Sequence, residues 1–237
     1  MNYTEAIAYL EEVASFGIHP GLERITALLE ELGNPQNTYK TIHVTGTNGK
    51  GSVSTYITYG LYMSGLRVGT FTSPHLQSYT ERMRVNTAYI TEEAFADLIE
   101  RVSHAVKAIM DRGVEAPTQF EILTAAAFLF FKEQGVDYAV IEVGLGGLLD
   151  STNVITPEVA VITNVTIDHQ AYCGDTVEEI ARHKAGIIKK GVPLVTAAQG
   201  GALDVIKETA KSLGVKYHVF NEDFTIDSRS AMAMGQM

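Results

Sequence analysis

Cysteine occurs once, at Cys173, so no intramolecular disulfide can form and no cysteine cluster is available to hold zinc. A cytoplasmic address is the simplest expectation. Positive charge is scarce: 18 Lys and Arg against 28 Asp and Glu leave a formal net charge of -10. No basic stripe exists to neutralise a phosphate backbone, which argues against a nucleic-acid partner but not against a nucleotide bound locally. No apolar run reaches spanning length, so no membrane partner is expected. The N-terminus carries Glu5, Glu11 and Glu12 and no basic start, unlike a secretory signal. Internal repeats, low-complexity tracts and charge runs are absent as well.

What is present is a well-packed globular composition, 46% hydrophobic and 19% charged over 237 residues, enough for one large α/β domain and short for two. The organising stretch is Ile42 to Ser52. A β-branched apolar run turns into a glycine-rich segment with one lysine, followed by helix-compatible sequence from Val53 to Met63. Polyphosphate oxygens are held by backbone N–H groups at a helix N-terminus, so Gly46, Gly49 and Gly51 clear the approach and Lys50 supplies a point charge. The general P-loop spacing places a glycine where Val44 stands and a hydroxyl where Gly51 stands. The alternative is a plain glycine-rich turn between strand and helix.

Further strands are expected at Leu66–Thr72, Val136–Val143, Glu158–Thr163, Val192–Thr196 and Lys216–Phe220, with helices between them. That order predicts a P-loop type, doubly wound, mostly parallel sheet flanked by helices. Residues 1–220 form the domain in this reading, and 221–237, where periodicity is lost, form a linker or tail. Thr91 caps a helix reaching about Arg112, and Thr118-Gln119-Phe120-Glu121 opens an almost wholly apolar helix. Loops after parallel strands sit at the ligand edge, so Ser73, His75 and Arg82 are candidates there; Ser73 offers the hydroxyl that Gly51 lacks. Glu142 ends an apolar strand and needs a cationic partner, either a metal ion or a salt bridge. Thr176 and Glu179 form a capping box for a helix whose apolar face holds Lys184 together with Ile180, Ile187 and Ile188. A lysine there either snorkels outward or is desolvated.

Four stretches together carry a resemblance: His43-Val44-Thr45-Gly46-Thr47-Asn48-Gly49-Lys50-Gly51-Ser52, Thr72-Ser73-Pro74-His75-Leu76, Glu142-Val143-Gly144-Leu145-Gly146-Gly147-Leu148-Leu149-Asp150-Ser151-Thr152-Asn153, and His183-Lys184-Ala185-Gly186-Ile187-Ile188. They are similar to the ATP-dependent amino-acid ligases that include the Mur ligases, and within them to the folate branch of folylpolyglutamate and dihydrofolate synthases. The resemblance runs over nearly all of residues 1–220. Leu148 stands where many members have arginine, so that arginine's role does not transfer, and Asn86-Thr87 replaces the common Asn-Gly.

The resemblance implies a Mur-central-domain fold and ligation of L-glutamate to a folate or dihydropteroate carboxylate through an acyl phosphate. Thr47, Asn48, Gly49, Lys50, Gly51 and Ser52 are the implied ATP-binding residues. Two Mg²⁺ ions are implied, with Ser73, Glu142, His169 and a carbamylated Lys184 as ligands, and Lys50, Glu142, His169 and Lys184 as the catalytic set. Folate would meet Gly21, Leu22, His75, Arg82, Thr118, Phe120, Glu121, Leu149, Asp150 and Ser151. Such ligases work as monomers covalently joined to a C-terminal glutamate-binding domain, which lies outside this sequence. Another Mur-type ligase and a non-catalytic nucleotide- or folate-binding module are the alternatives.

Overall fold

The computed structural model describes residues 1–14, 17, 19–167, 170–227, 231–232 and 235–236. Helices α1 (Tyr3–Ala14) and α2 (Glu23–Glu31) precede strand β1 (Lys40–Thr45) and helix α3 (Lys50–Met63). Next come β2 (Val68–Phe71), the short pair β3 (Met83–Val85) and β4 (Ala88–Tyr89), and helices α4 (Glu92–Asp111) and α5 (Gln119–Glu133). The second half runs β5 (Tyr138–Glu142), β6 (Val159–Ile162), α6 (Gln170–Cys173), α7 (Val177–Ala185), β7 (Leu194–Thr196), α8 (Gly200–Ser212) and β8 (Tyr217–Val219). A bridge from Phe220 to Phe224 and an antiparallel pair, β9 (Ala231–Met232) with β10 (Gly235–Gln236), follow.

The main sheet has the order β4-β3-β2-β5-β1-β6-β7-β8. Strands β2, β5, β1, β6, β7 and β8 are parallel neighbours, while β3 and β4 add an antiparallel edge. This β3–β4 edge is not among the strands expected from the sequence. Its strands are only three and two residues long, too short for a period to register, and their pairing depends on β2. Asn86 makes the turn with φ 54°, and its side chain accepts the Val68 N–H at 2.8 Å.

Side-chain alternation assigns the faces. Ile42, Val44, Val68 and Val140 meet Val53, Ile57 and Leu61 of α3 on one face. On the other, Phe71, Ala139 and Ile141 pack beneath α1, α2, α4 and α5, and the apolar α5 is buried along Ile122–Phe131 as its composition requires. Helices α7 and α8 cover Ala160, Ile162 and Leu194. The capping boxes at Thr118/Glu121 and Thr176/Glu179 are both formed. Helix α7 stops at Ala185, so Ile187 and Ile188 lie beyond its end, though still buried. Gly186 ends it, its cap N–H bonding back to the His183 carbonyl.

Candidate functional site

Strands β1, β5 and β6 run side by side and end at one edge, with Val44 level with Glu142 and Thr45 level with Ile162. The turn between β1 and α3 is stitched to the end of β6. The Thr47 N–H bonds the Asn164 carbonyl at 3.0 Å, the Asn48 N–H bonds Asn164 Oδ1 at 2.8 Å, and Thr163 Oγ1 donates to the Asn48 carbonyl at 2.7 Å. Gly46 has φ 151°, and a Cβ there would lie 1.8 Å from Thr163 Oγ1, so only glycine lets the turn reach β6. Gly49, at φ 81°, starts α3 without a side-chain cap, which leaves the first amides of the helix for an anion. Lys50 Nζ curls onto the carbonyls of Gly46 at 3.0 Å and Thr47 at 3.2 Å.

Glu142 lies beside this turn. It shares the α3 face of β5 with Val140 and is 4% exposed. A Cβ on Gly51 would sit 3.7 Å from its Oε2, which also accepts the Ser73 N–H at 3.3 Å. Burial pushes its carboxyl up to about 7, against the opposing pull of the Ser73 N–H and Lys50. A buried carboxylate so weakly compensated fits a divalent cation. Mg²⁺ typically takes one or two carboxylates and completes its shell with phosphate oxygens and water. Among the described residues no group of three His, Cys, Asp or Glu side chains converges for a metal. The expected ligand His169 lies outside the described residues. Lys184, 3% exposed in the last turn of α7, lines a narrow crevice with Thr45, Gly46, Lys50, Val143, Gly144 and Gly146. The apolar stripe therefore delivers Lys184 to the nucleotide turn.

Next to this edge lies a cavity of ≈ 260 Å³, between the C-terminal end of α1, the start of α5, the loop after β5, and α6 and α7. Of the residues expected at folate, Thr118, Phe120, Leu149, Asp150 and Ser151 line it. Asp150 is also a brace: Oδ1 accepts the Thr152 N–H and hydroxyl, and Oδ2 accepts the Leu145 N–H at 2.7 Å. Its pKa is raised by burial, with these donors pulling the other way.

The other expected folate residues are not among the cavity-lining set. Glu121 caps α5 and pairs with Arg24, Nε to Oε2 at 3.1 Å, while its Oε1 has no partner. Leu22 packs on the helical core, and Pro20 lines the cavity where Gly21 does not. His75 and Arg82 form their own cluster, Arg82 Nε donating to His75 Nδ1 at 2.8 Å. The Tyr79 ring packs against His75 with centroids 4.3 Å apart and planes tilted by 45°, and lies 5.6 Å from the Arg82 guanidinium. The His75 pKa is lowered by burial and by Arg82, in keeping with Nδ1 acting as acceptor. This cluster reaches the cavity wall through Gln119, whose Nε2 bonds Tyr79 Oη at 2.8 Å.

Sequence reasoning missed His19, Gln119, Tyr172, Cys173 and His183 as cavity residues. Gln119 lay inside a quoted motif and His183 directly before Lys184, so both carried a local signal. Cys173 and Tyr172 carried none, since only the docking of α6 against the loop after β5 brings them there.

Comparison with known proteins bears on the family and the fold. The family model described as the Mur ligase middle domain matches residues 44–229. The dihydrofolate synthase/folylpolyglutamate synthase of Bacillus subtilis is 41% identical over 236 residues, covering 99% of this chain and 55% of that protein. The folylpolyglutamate synthase of Lacticaseibacillus casei is 42% identical over 241 residues, covering 100% and 56%. A solved FPGS–AMPPCP–folate complex superimposes with a TM-score of 0.93 at 41% identity, covering 100% of this chain and 58% of the other. The chain thus spans about half the length of the curated relatives it matches. No helix among the described residues is long and apolar enough to cross a membrane. With the matched segment running from β1 past β8 and the nucleotide turn, Glu142 and Lys184 at one edge, the chain belongs to the Mur ligase middle-domain family.

Proposed function

We propose that this chain is the nucleotide- and pterin-binding part of an ATP-dependent ligase that joins L-glutamate to the carboxylate of a folate or of dihydropteroate. The observation that carries the reading is the shared edge on which Lys50, Glu142 and Lys184 meet, with the ≈ 260 Å³ cavity adjoining it. The relatives named above, and a solved complex holding both AMPPCP and folate, support the choice of ligands.

In this reading the amides opening α3 and Lys50 hold the ATP phosphates, with Thr47, Asn48, Gly49, Gly51 and Ser52 forming the cradle. The pterin enters the cavity against Phe120, Leu149, Asp150 and Ser151, and its carboxylate is led toward the nucleotide turn. The carboxylate attacks the γ-phosphorus, ADP leaves, and the resulting acyl phosphate yields an amide and inorganic phosphate when the glutamate amine attacks its carbonyl carbon. Glu142, with the Ser73 hydroxyl, would hold one Mg²⁺; His169 and a carbamylated Lys184 would hold a second. Bound there, the ions neutralise charge on the transferring phosphoryl group. Lys50 and Lys184 line one crevice, so carbamylation of Lys184 would place a metal-ligating anion beside the lysine that meets the phosphates.

The protein would act in the cytoplasm as a monomer covalently joined to a C-terminal glutamate-binding domain. A non-catalytic nucleotide- or folate-binding module is the second reading. Incubation with ATP, Mg²⁺, L-glutamate and either dihydropteroate or tetrahydrofolate, followed by ADP release and pterin mass, tests both. A mass gain of one glutamate supports ligation by this chain and identifies the acceptor. AMPPCP binding without product supports the module, and absence of nucleotide binding overturns the proposal.

A further inference from the structure

Strand β1 sends Ile42 and Val44 toward α3 and therefore His43 and Thr45 to the opposite face. Both polar side chains are fully buried, and both reach the chain that follows β5. Thr45 Oγ1 donates to the Gly146 carbonyl at 2.7 Å. His43 Nε2 lies 2.8 Å from Thr152 Oγ1, and the Thr152 hydroxyl donates to Asp150 Oδ1.

The direction of this chain follows from a count of hydrogens. A threonine hydroxyl has one proton, and the Asp150 carboxyl, whose two oxygens already accept the backbone N–H groups of Thr152 and Leu145, is the acceptor that this proton faces. The Thr152 proton therefore points at Asp150, and His43 must donate from Nε2 to the hydroxyl oxygen. The imidazole is neutral, because burial and the nearby Lys189 hold its pKa down at about 3, and its Nδ1 has no partner. A core position that tolerates an orphaned ring nitrogen is poorly explained by packing alone.

At the far end, the carboxylate closes the loop on itself. Oδ1 takes the Thr152 N–H at 3.0 Å and Oδ2 takes the Leu145 N–H at 2.7 Å, so residues 144–150 are drawn into a ring around Asp150. The same ring forms the cavity wall through Leu145, Leu149 and Asp150, with Ser151 directly after it.

We infer that His43 and Thr152 are positioning residues, a donor relay from the central strand that fixes the Asp150 carboxylate and with it the cavity wall offered to the pterin. Neither residue lines the cavity; each acts through Asp150. The inference rests on the proposed function only for the identity of the ligand, a planar heteroaromatic with N–H donors. The relay also explains why Thr152 is a threonine and not an apolar residue of the same shape: valine would pack there but would leave His43 Nε2 and Asp150 Oδ1 without their shared hydroxyl.

The test uses Thr152→Val, Thr152→Ser and His43→Leu in the same chain, with hydrogen exchange of the 144–150 amides, dihydropteroate and AMPPCP titration, and thermal melting. In Thr152→Val, exchange at Leu145 should rise and dihydropteroate affinity should fall, each by about tenfold or more, while AMPPCP affinity stays within about twofold. Thr152→Ser should restore both to near the wild-type values, which a purely structural role for the threonine methyl would not do. Wild-type exchange and affinity in Thr152→Val, or equal loss in Thr152→Ser, overturns the relay. If His43→Leu does not fold, the two Thr152 variants decide the matter. A wild-type chain that binds no dihydropteroate tells against the ligand reading, and the exchange pattern then decides the relay by itself.

Discussion

The backbone N–H of Ser73 donates to Oε2 of Glu142 across 3.3 Å, joining the loop after β2 to the end of β5 beside the nucleotide turn. That single amide and the charge of Lys50 only partly offset the burial of the carboxylate. The site is thus left short of positive charge until a cation or a proton arrives.

A pH dependence follows. Between pH 4.5 and about 7 the folded chain keeps the Glu142 proton that the unfolded chain releases. Stability should therefore fall as pH rises through that window, by about 3 kcal/mol in total. In denaturant titrations without divalent cations, Glu142→Gln should flatten this fall and make the protein more stable than wild type at pH 8. Mg²⁺ should recover stability at pH 8 in the wild type and not in the variant. An equally steep fall in the variant would assign the slope to other groups.

Lys50 should matter for the nucleotide and little for the fold. Its amine donates to carbonyls of its own turn, Gly46 and Thr47, and its charge also eases the burial of Glu142, so near pH 6, where that carboxyl keeps its proton, truncation strands no buried charge. A charge-assisted hydrogen bond contributes about 1.5–3 kcal/mol. Lys50→Ala should accordingly weaken AMPPCP binding about 10- to 100-fold by calorimetry, with the melting temperature nearly unchanged.

The positions of these two residues were legible in the sequence because they depend on local order: a lysine in a glycine-rich turn, a glutamate closing an apolar strand. The parallel sheet was legible for the same reason, its strands being short apolar runs bounded by turn residues, glycine-rich loops or helix-forming sequence. What was not legible joins distant positions. Arg24 and Glu121 are 97 residues apart, and Glu121, read with the resemblance as a folate contact, forms a buried ion pair and an N-terminal cap instead of lining the cavity. His75 and Arg82 were placed at the ligand edge separately, but nothing in their spacing shows that they bond each other and pack against Tyr79. The β3–β4 edge escaped because short strands have no period of their own.

The Arg24–Glu121 pair gives a stability prediction. Both side chains are buried, and removing one leaves the other charge without compensation, at a cost of about 3–5 kcal/mol. Arg24→Met should show that loss in urea denaturation. Adding Glu121→Gln should recover part of it, since the neutral amide oxygen still accepts the Thr118 N–H while the stranded charge is gone. A double variant as unstable as the sum of the two single ones would mean that the pair is not coupled.

Two glycines separate packing from binding. A Cβ on Gly69 would lie 2.6 Å from the Phe131 ring, and one on Gly144 would lie 2.5 Å from Phe120. Phe131 is fully buried under β2, so Gly69→Ala must shift a core ring and should cost about 1–3 kcal/mol with ligand affinity unchanged. Phe120 lines the cavity, so Gly144→Ala can relieve its clash by moving the ring into open space. That variant should keep most of its stability and lose dihydropteroate affinity by about tenfold or more. Calorimetry and melting on both proteins check the contrast. If Gly144→Ala binds normally while losing stability as Gly69→Ala does, Phe120 is a core ring and the cavity is not where the pterin sits.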